Sequence, residues 1–157
     1  MIKKVLPWFV FISLILLIII GLASKDKLNQ YLSKTMVKNA APQTLSGGAA
    51  FVDSAYNYSK NGLHYEITFL EFGATGCVAC RNMESVMEEV KQKYPDKVNV
   101  VFLNILKPES QNLMKLYGIA AIPTQVLLNK TGKEYYRHTG FLSSDELVEN
   151  FSFEKNK

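Results

Sequence analysis

The sequence predicts an α/β domain, a mixed central sheet with helices on both faces, preceded by one N-terminal transmembrane helix. Three observations carry that expectation. Residues 5–23 hold no charged side chain. From residue 64 onward, β-branched and aromatic runs interchange with stretches whose apolar residues recur every three or four positions. A length of 157 residues allows one domain with a core and not two of ordinary size.

Apolar residues make up 48% of the chain and charged residues 20%, which excludes a disordered tail as the whole protein. The formal net charge of +4 is unevenly placed. Residues 1–45 carry six lysines against Asp26, whereas the remainder carries twelve Lys/Arg against thirteen Asp/Glu. The positive charge therefore belongs to the N-terminal arm. A nucleic-acid-binding domain needs it on the globular face, so no nucleic-acid partner is expected. Two cysteines exclude a multi-disulfide scaffold.

Taken as a helix, residues 5–23 rise about 28 Å, close to the thickness of a bilayer's hydrocarbon. Pro7 falls in the first turn, where its missing N–H costs little, and Trp8 falls at headgroup depth. The competing reading is a cleaved signal peptide, with Gly21-Leu22-Ala23 as the small-residue site. Lys3, Lys4 and the terminal amine favour an N-in start, whereas Lys25, Lys27, Lys34 and Lys38 argue the other way. The short, concentrated leading charge decides for N-in. The chain is thus read as single-pass, with residues 1–24 as membrane anchor, 25–48 as a polar juxtamembrane spacer holding a short helix near 28–37, and 49–157 as the folded domain outside the cytoplasm.

Tyr65-Glu66-Ile67-Thr68-Phe69-Leu70-Glu71-Phe72 reads as a strand. After a glycine turn, Met83, Val86, Met87, Val90 and Tyr94 mark a helix that Pro95 stops. The apolar run over 98–103 reads as a strand covered on both faces. Residues 108–117 read as a second helix, opened by Pro108 and closed by Gly118. Residues 125–128 and 134–137 flank Asn129-Lys130-Thr131-Gly132, a hairpin signal. Ser143 and Glu146 have capping-box spacing before a last helix carrying Leu147, Val148 and Phe151.

The chemistry gathers at Cys77-Val78-Ala79-Cys80, where the first strand gives way to the first helix of the domain. Unpaired peptide N–H groups and the positive end of the helix dipole stabilise a thiolate on Cys77. Cys80, one turn later, can reach back to a mixed disulfide formed at Cys77. Zinc requires about four ligands, and the two histidines, His64 and His138, are isolated in sequence. A half-site shared between two chains stays open as an alternative.

Residues 67–151 resemble a thioredoxin-family domain. The strand Phe69-Leu70-Glu71-Phe72 leads into the CxxC helix, Ile122-Pro123-Thr124 is similar to the family's cis-proline loop, and Gly140 matches the glycine before the last helix. The Val-Ala pair resembles the C-terminal domain of membrane thiol–disulfide interchange proteins. The resemblance implies a cis Pro123, with Gly76, Val78, Ala79, Ile122, Pro123 and Thr124 around bound substrate. Glu71, six residues before Cys77, matches the family's buried acid, which shuttles the proton of the resolving cysteine. The chain departs from the family at Gly76 (usually aromatic), at Val78-Ala79 (usually Gly-Pro), at Ser85 (usually proline) and at Phe102 (often a lysine beside the acid).

The expected function is a membrane-tethered thiol–disulfide oxidoreductase that reduces protein disulfides. Its redox-active Cys77–Cys80 pair needs no cofactor and draws electrons from a transmembrane thiol donor. An oxidant or isomerase with the same chemistry, and a Cu(I)-binding module using the same two sulfurs, are the alternatives.

Overall fold

The computed structural model describes residues 2–153, with the side chains of residues 2–7, 9, 22, 23, 25 and 26 outside that description. Helices α1 (Ile2–Asn39), α2 (Pro42–Ala55) and α3 (Tyr58–Asn61) precede strand β1 (Ile67–Gly73) and helix α4 (Val78–Lys93). Strand β2 (Val98–Asn104), a 3-10 turn (Pro108–Ser110) and helix α5 (Gln111–Leu116) follow. The chain then forms β3 (Thr124–Asn129), β4 (Glu134–Thr139) and α6 (Ser144–Glu149). The sheet order is β2-β1-β3-β4; β1 and β2 are parallel, and the other pairs are antiparallel.

Strand alternation divides the core. Ile67 and Phe69 of β1 face α4 and α6, packing with Met83, Val86, Val90, Leu127 and Leu147. Leu70 and Phe72 point the other way, into a second cluster with Val52, Leu113, Tyr117, Val126 and Leu128. Helices therefore cover both faces, as the pattern predicts. Each fully buried apolar side chain contributes roughly 1.5–3 kcal/mol, so the α4 stripe alone is a major part of the first layer's cohesion.

The hairpin and cap signals have their expected geometry. Gly132 adopts φ 76° and its N–H donates to the Asn129 carbonyl at 2.8 Å. Ser143 and Glu146 form the reciprocal capping box. The run over 98–103 differs from expectation. It lies at a sheet edge and is mostly half-buried, whereas β1, with a strand on either side, is buried along its whole length.

The segment read as a spacer is also different. α1 continues without interruption to Asn39, and Pro42 opens α2 from its first turn. Gly47 and Gly48 lie inside a helix instead of a flexible joint. A Cβ on Gly48 would come 3.2 Å from both the Asn112 carbonyl and Leu116 Cβ, so glycine here lets α2 lie close against α5. The α1 end is fixed as well. Ser33 Oγ donates to the Tyr117 carbonyl at 3.3 Å, and Arg137 Nη1 donates to Ser33 Oγ at 2.9 Å and to the same carbonyl at 2.6 Å.

Gly118 lies at that contact with φ 58°, and a Cβ there would fall onto the Ser33 carbonyl oxygen and 2.7 Å from its hydroxyl. Gly118→Ala is therefore expected to lift α1 from the domain. Amide exchange over residues 30–38 should accelerate roughly tenfold while Cys77 chemistry is unchanged. Unaltered exchange there would mean the contact does not hold the helix.

Among the described residues no helix is long and apolar enough to cross a membrane. The expected anchor over 5–23 includes residues whose side chains lie outside that description. The described large apolar residues of that run, from Val10 to Ile20, are all exposed.

Candidate active site

The end of β1 and the start of α4 build the site. Cys77 is the N-cap of α4, with φ −75° and ψ 112°, and its Sγ accepts the Cys80 N–H at 3.1 Å. The two cysteines form a disulfide, with Cα atoms 5.2 Å apart. Cys77 is half-buried while Cys80 is 4% exposed, so an incoming group meets the Cys77 sulfur first. Gly76 has φ 87°, a backbone conformation that disfavours the aromatic residue usual at this place.

Gly73 brings the helix down onto the sheet. A Cβ at that position would lie 2.8 Å from Phe102 Cε2, 3.3 Å from Cys80 Cβ and 3.4 Å from Cys80 Sγ. The buried sulfur therefore sits over Gly73, on the face that Glu71 shares two residues earlier, about 7 Å along the strand. Glu71 is 1% exposed, and burial pushes its carboxyl up to about 8, against the opposing hydrogen bond from Gln125. Gln125 Nε2 donates to Glu71 Oε2 at 3.0 Å and more weakly to Oε1 at 3.4 Å. An acid with that proton affinity is matched to a thiol, whose ordinary pKa is about 8.5, so a proton exchanged between two such groups would change free energy little.

The second wall is the loop before β3. The Ile122–Pro123 peptide bond is cis. Thr124 pairs with Phe72, which brings the preceding proline to the end of β1, where the cysteine helix begins. The Pro123 carbonyl accepts the Gly140 N–H at 2.9 Å, tying this loop to the glycine after β4. Val78 is 70% exposed, and Gly76 and Ala79 are exposed beside it, with Ile122 half-buried across the site. Thr124 is not at the surface. Its side chain is buried, donating to the Ala121 carbonyl at 2.8 Å and lying 3.1 Å from the Thr139 hydroxyl.

Gln125 and Gly73 went unrecognised in the sequence. An amide directly before the apolar run Val126-Leu127-Leu128 and two residues after the loop proline was the available signal for Gln125. No three His, Cys, Asp or Glu side chains come together as a metal site among the described residues. His64 lies 4.0 Å from Asp96, and His138 Nε2 lies 3.2 Å from the Phe141 carbonyl.

A family model described as a thioredoxin-like domain matches residues 53–153. The chain belongs to the thioredoxin-like family. It is 32% identical over 97 residues to thioredoxin-like protein HCF164, chloroplastic, of Arabidopsis thaliana, covering 62% of this chain and 37% of that protein. The rice counterpart is 30% identical over 107 residues, covering 66% and 41%. Thioredoxin of Bacillus subtilis is 30% identical over 83 residues, covering 53% and 77%. The chain thus spans about two fifths of the length of the HCF164 relatives it matches. Among solved structures, the exposed lipoprotein thioredoxin Etrx1 of Streptococcus pneumoniae aligns with a TM-score of 0.50 at 19% identity, covering 56% of this chain and 84% of that one, a likeness of fold alone. Family, fold and the paired cysteines together place a thioredoxin-like dithiol–disulfide centre at the start of α4.

Proposed function

We propose that the protein is a membrane-tethered oxidoreductase that reduces protein disulfides outside the cytoplasm. The observation that carries the reading is the asymmetric sulfur pair: Cys77 half-buried at a helix N-cap, Cys80 buried behind it, with the cis-proline loop alongside. The Cys77 thiolate attacks one sulfur of a client disulfide, forming a mixed disulfide and releasing the first client thiolate. Cys80 gives its proton to Glu71, and its thiolate attacks Cys77 Sγ. The Cys77–Cys80 bond forms and the bond to the client breaks; Glu71 passes its proton to the leaving thiolate, the first client thiolate takes one from water, and the client departs with two thiols. A transmembrane thiol donor returns two electrons to the pair.

Substrate binding follows from the surface. Ile122 makes no backbone hydrogen bond among the described residues, which leaves its N–H and carbonyl for an extended client strand. Exposed Val78, Ala79 and Gly76 supply an apolar rim without bulk. The tether is supported by the uncharged run over 5–23 and by the uninterrupted α1 helix that contains it.

Insulin reduction by the purified protein, with the potential of the pair measured beside it, tests the chemistry. Turnover with a potential near that of thioredoxin, about −270 mV, is expected; a value near −120 mV would make it an oxidant. Alkylation of Cys77 by an impermeant maleimide in intact cells tests the location. Protection until permeabilisation would place the domain inside.

A further inference from the structure

One register line crosses the sheet through Phe102 on β2, Glu71 on β1, Gln125 on β3 and His138 on β4. All four side chains leave the face that α4 covers. Phe102 brings only carbon to the acid from β2, and the α4 residues buried against this layer are Met83, Val86, Met87 and Val90 besides Cys80. From β4, His138 stands beyond Gln125 and is held near the Phe141 carbonyl, and from α6 Glu146 is occupied by Ser143. No Lys or Arg pairs with Glu71 among the described residues, and its one hydrogen-bond donor there is Gln125 Nε2.

Gln125 is itself fully buried, and its Oε1 has no partner among the described residues. A buried amide oxygen without a partner destabilises a fold that leucine would suit better. An acceptor left open beside a carboxyl has a use when that carboxyl gains a proton.

We propose that Gln125 is the positioning residue of the Glu71 relay, orienting the carboxyl toward Cys80 and serving both its ionised and its protonated form. This rests on the thiol–disulfide reading above. While Glu71 is ionised, Nε2–H donates to it. Once Glu71 has taken the Cys80 proton, rotation of the amide turns Oε1 toward the new O–H, which donates to it. The proton later leaves Glu71 for the departing client thiolate or for water, and Nε2 returns. An amide takes the place of a cation beside the acid, so the charge balance of the buried layer does not change except by the proton itself.

The test compares Gln125→Leu with wild type, alone and in a Glu71→Gln background. The Glu71 carboxyl is followed by carbon NMR against pH, and the resolution of a preformed Cys77 mixed disulfide is followed by stopped flow. The substitution removes a bond from each form, but the bond to the ionised carboxylate is charge-assisted and about twice as strong, so the midpoint should rise by about one pH unit. The rise of the resolution rate with pH moves up by the same amount, which makes resolution at pH 7 about tenfold slower. In the Glu71→Gln background the second substitution should slow resolution no further. An unmoved midpoint, or equal slowing in both backgrounds, would reduce Gln125 to packing and overturn the proposal. If Gln125→Leu does not fold, Gln125→Met gives the same comparison. Wild-type protein that turned over no disulfide would sink the exchange reading alone, because the carboxyl midpoint is read without substrate and still decides the role of Gln125.

Discussion

Replacing Cys77 with serine is expected to remove disulfide turnover, by at least about a thousandfold, while Cys80→Ser stalls the reaction half-way. The difference follows from burial. The attacking sulfur must be reachable and ionised, and Cys77 is the half-buried one at the start of α4, where free peptide N–H groups and the dipole favour a thiolate. A serine hydroxyl in that place is not ionised near neutral pH, and loss of a nucleophile typically costs several orders of magnitude. Cys80, 4% exposed, meets no client directly. Its removal leaves the first attack intact and stops the second, so a covalent Cys77–client adduct should accumulate on non-reducing gels and vanish with dithiothreitol. Adducts formed by Cys77→Ser and absent from Cys80→Ser would reverse the assigned order.

Neutralising Glu71 is expected to make the protein more stable in alkali and slower in the reaction. In the unfolded chain this carboxyl loses its proton near the ordinary glutamate value of 4.5, whereas the folded chain keeps it to about 8. Between those values the native state holds a proton the unfolded state has released, so stability falls as pH rises through that window. The full difference is on the order of 5 kcal/mol, present below pH 4.5 and gone above pH 8. Glu71→Gln binds no proton in either state. Urea midpoints of its oxidised form should stay level from pH 5 to 9, and at pH 8.5 the variant should exceed wild type by several kcal/mol. Resolution of the mixed disulfide should slow about a hundredfold, the scale of a lost general base. A wild-type stability that does not decline between pH 5 and 8 would show that the carboxyl is not held as a buried acid.

Much of this site was legible because its signals are local. The CxxC spacing, the strand before it and the Ile122-Pro123-Thr124 loop need only a few neighbouring residues to define them. Alternation along β1 was enough to separate Glu71 from Leu70 and Phe72. Where the expectation failed, a partner distant in sequence had changed the meaning of a local signal. Gly47-Gly48 has the composition of a joint, yet the approach of α5 makes it a helical contact. The apolar run of β2 suggests a central strand, but which strand lies at the edge depends on the whole sheet order. Thr124 belongs by position to the substrate loop, and the pairing with β4 turns its hydroxyl inward.

By itself, the order of residues determined the α/β class, the reactive sulfur pair and its place at a helix start, because spacing along one chain sets periodicity and capping. Only the tertiary structure decided that Cys80 is the buried sulfur, that Gln125 is the partner of Glu71, and that α1 and α2 rest on the domain. Those three depend on which strands and helices lie side by side, and hydrogen bonds, burial and proton affinity all follow from neighbours that the chain brings together from far apart.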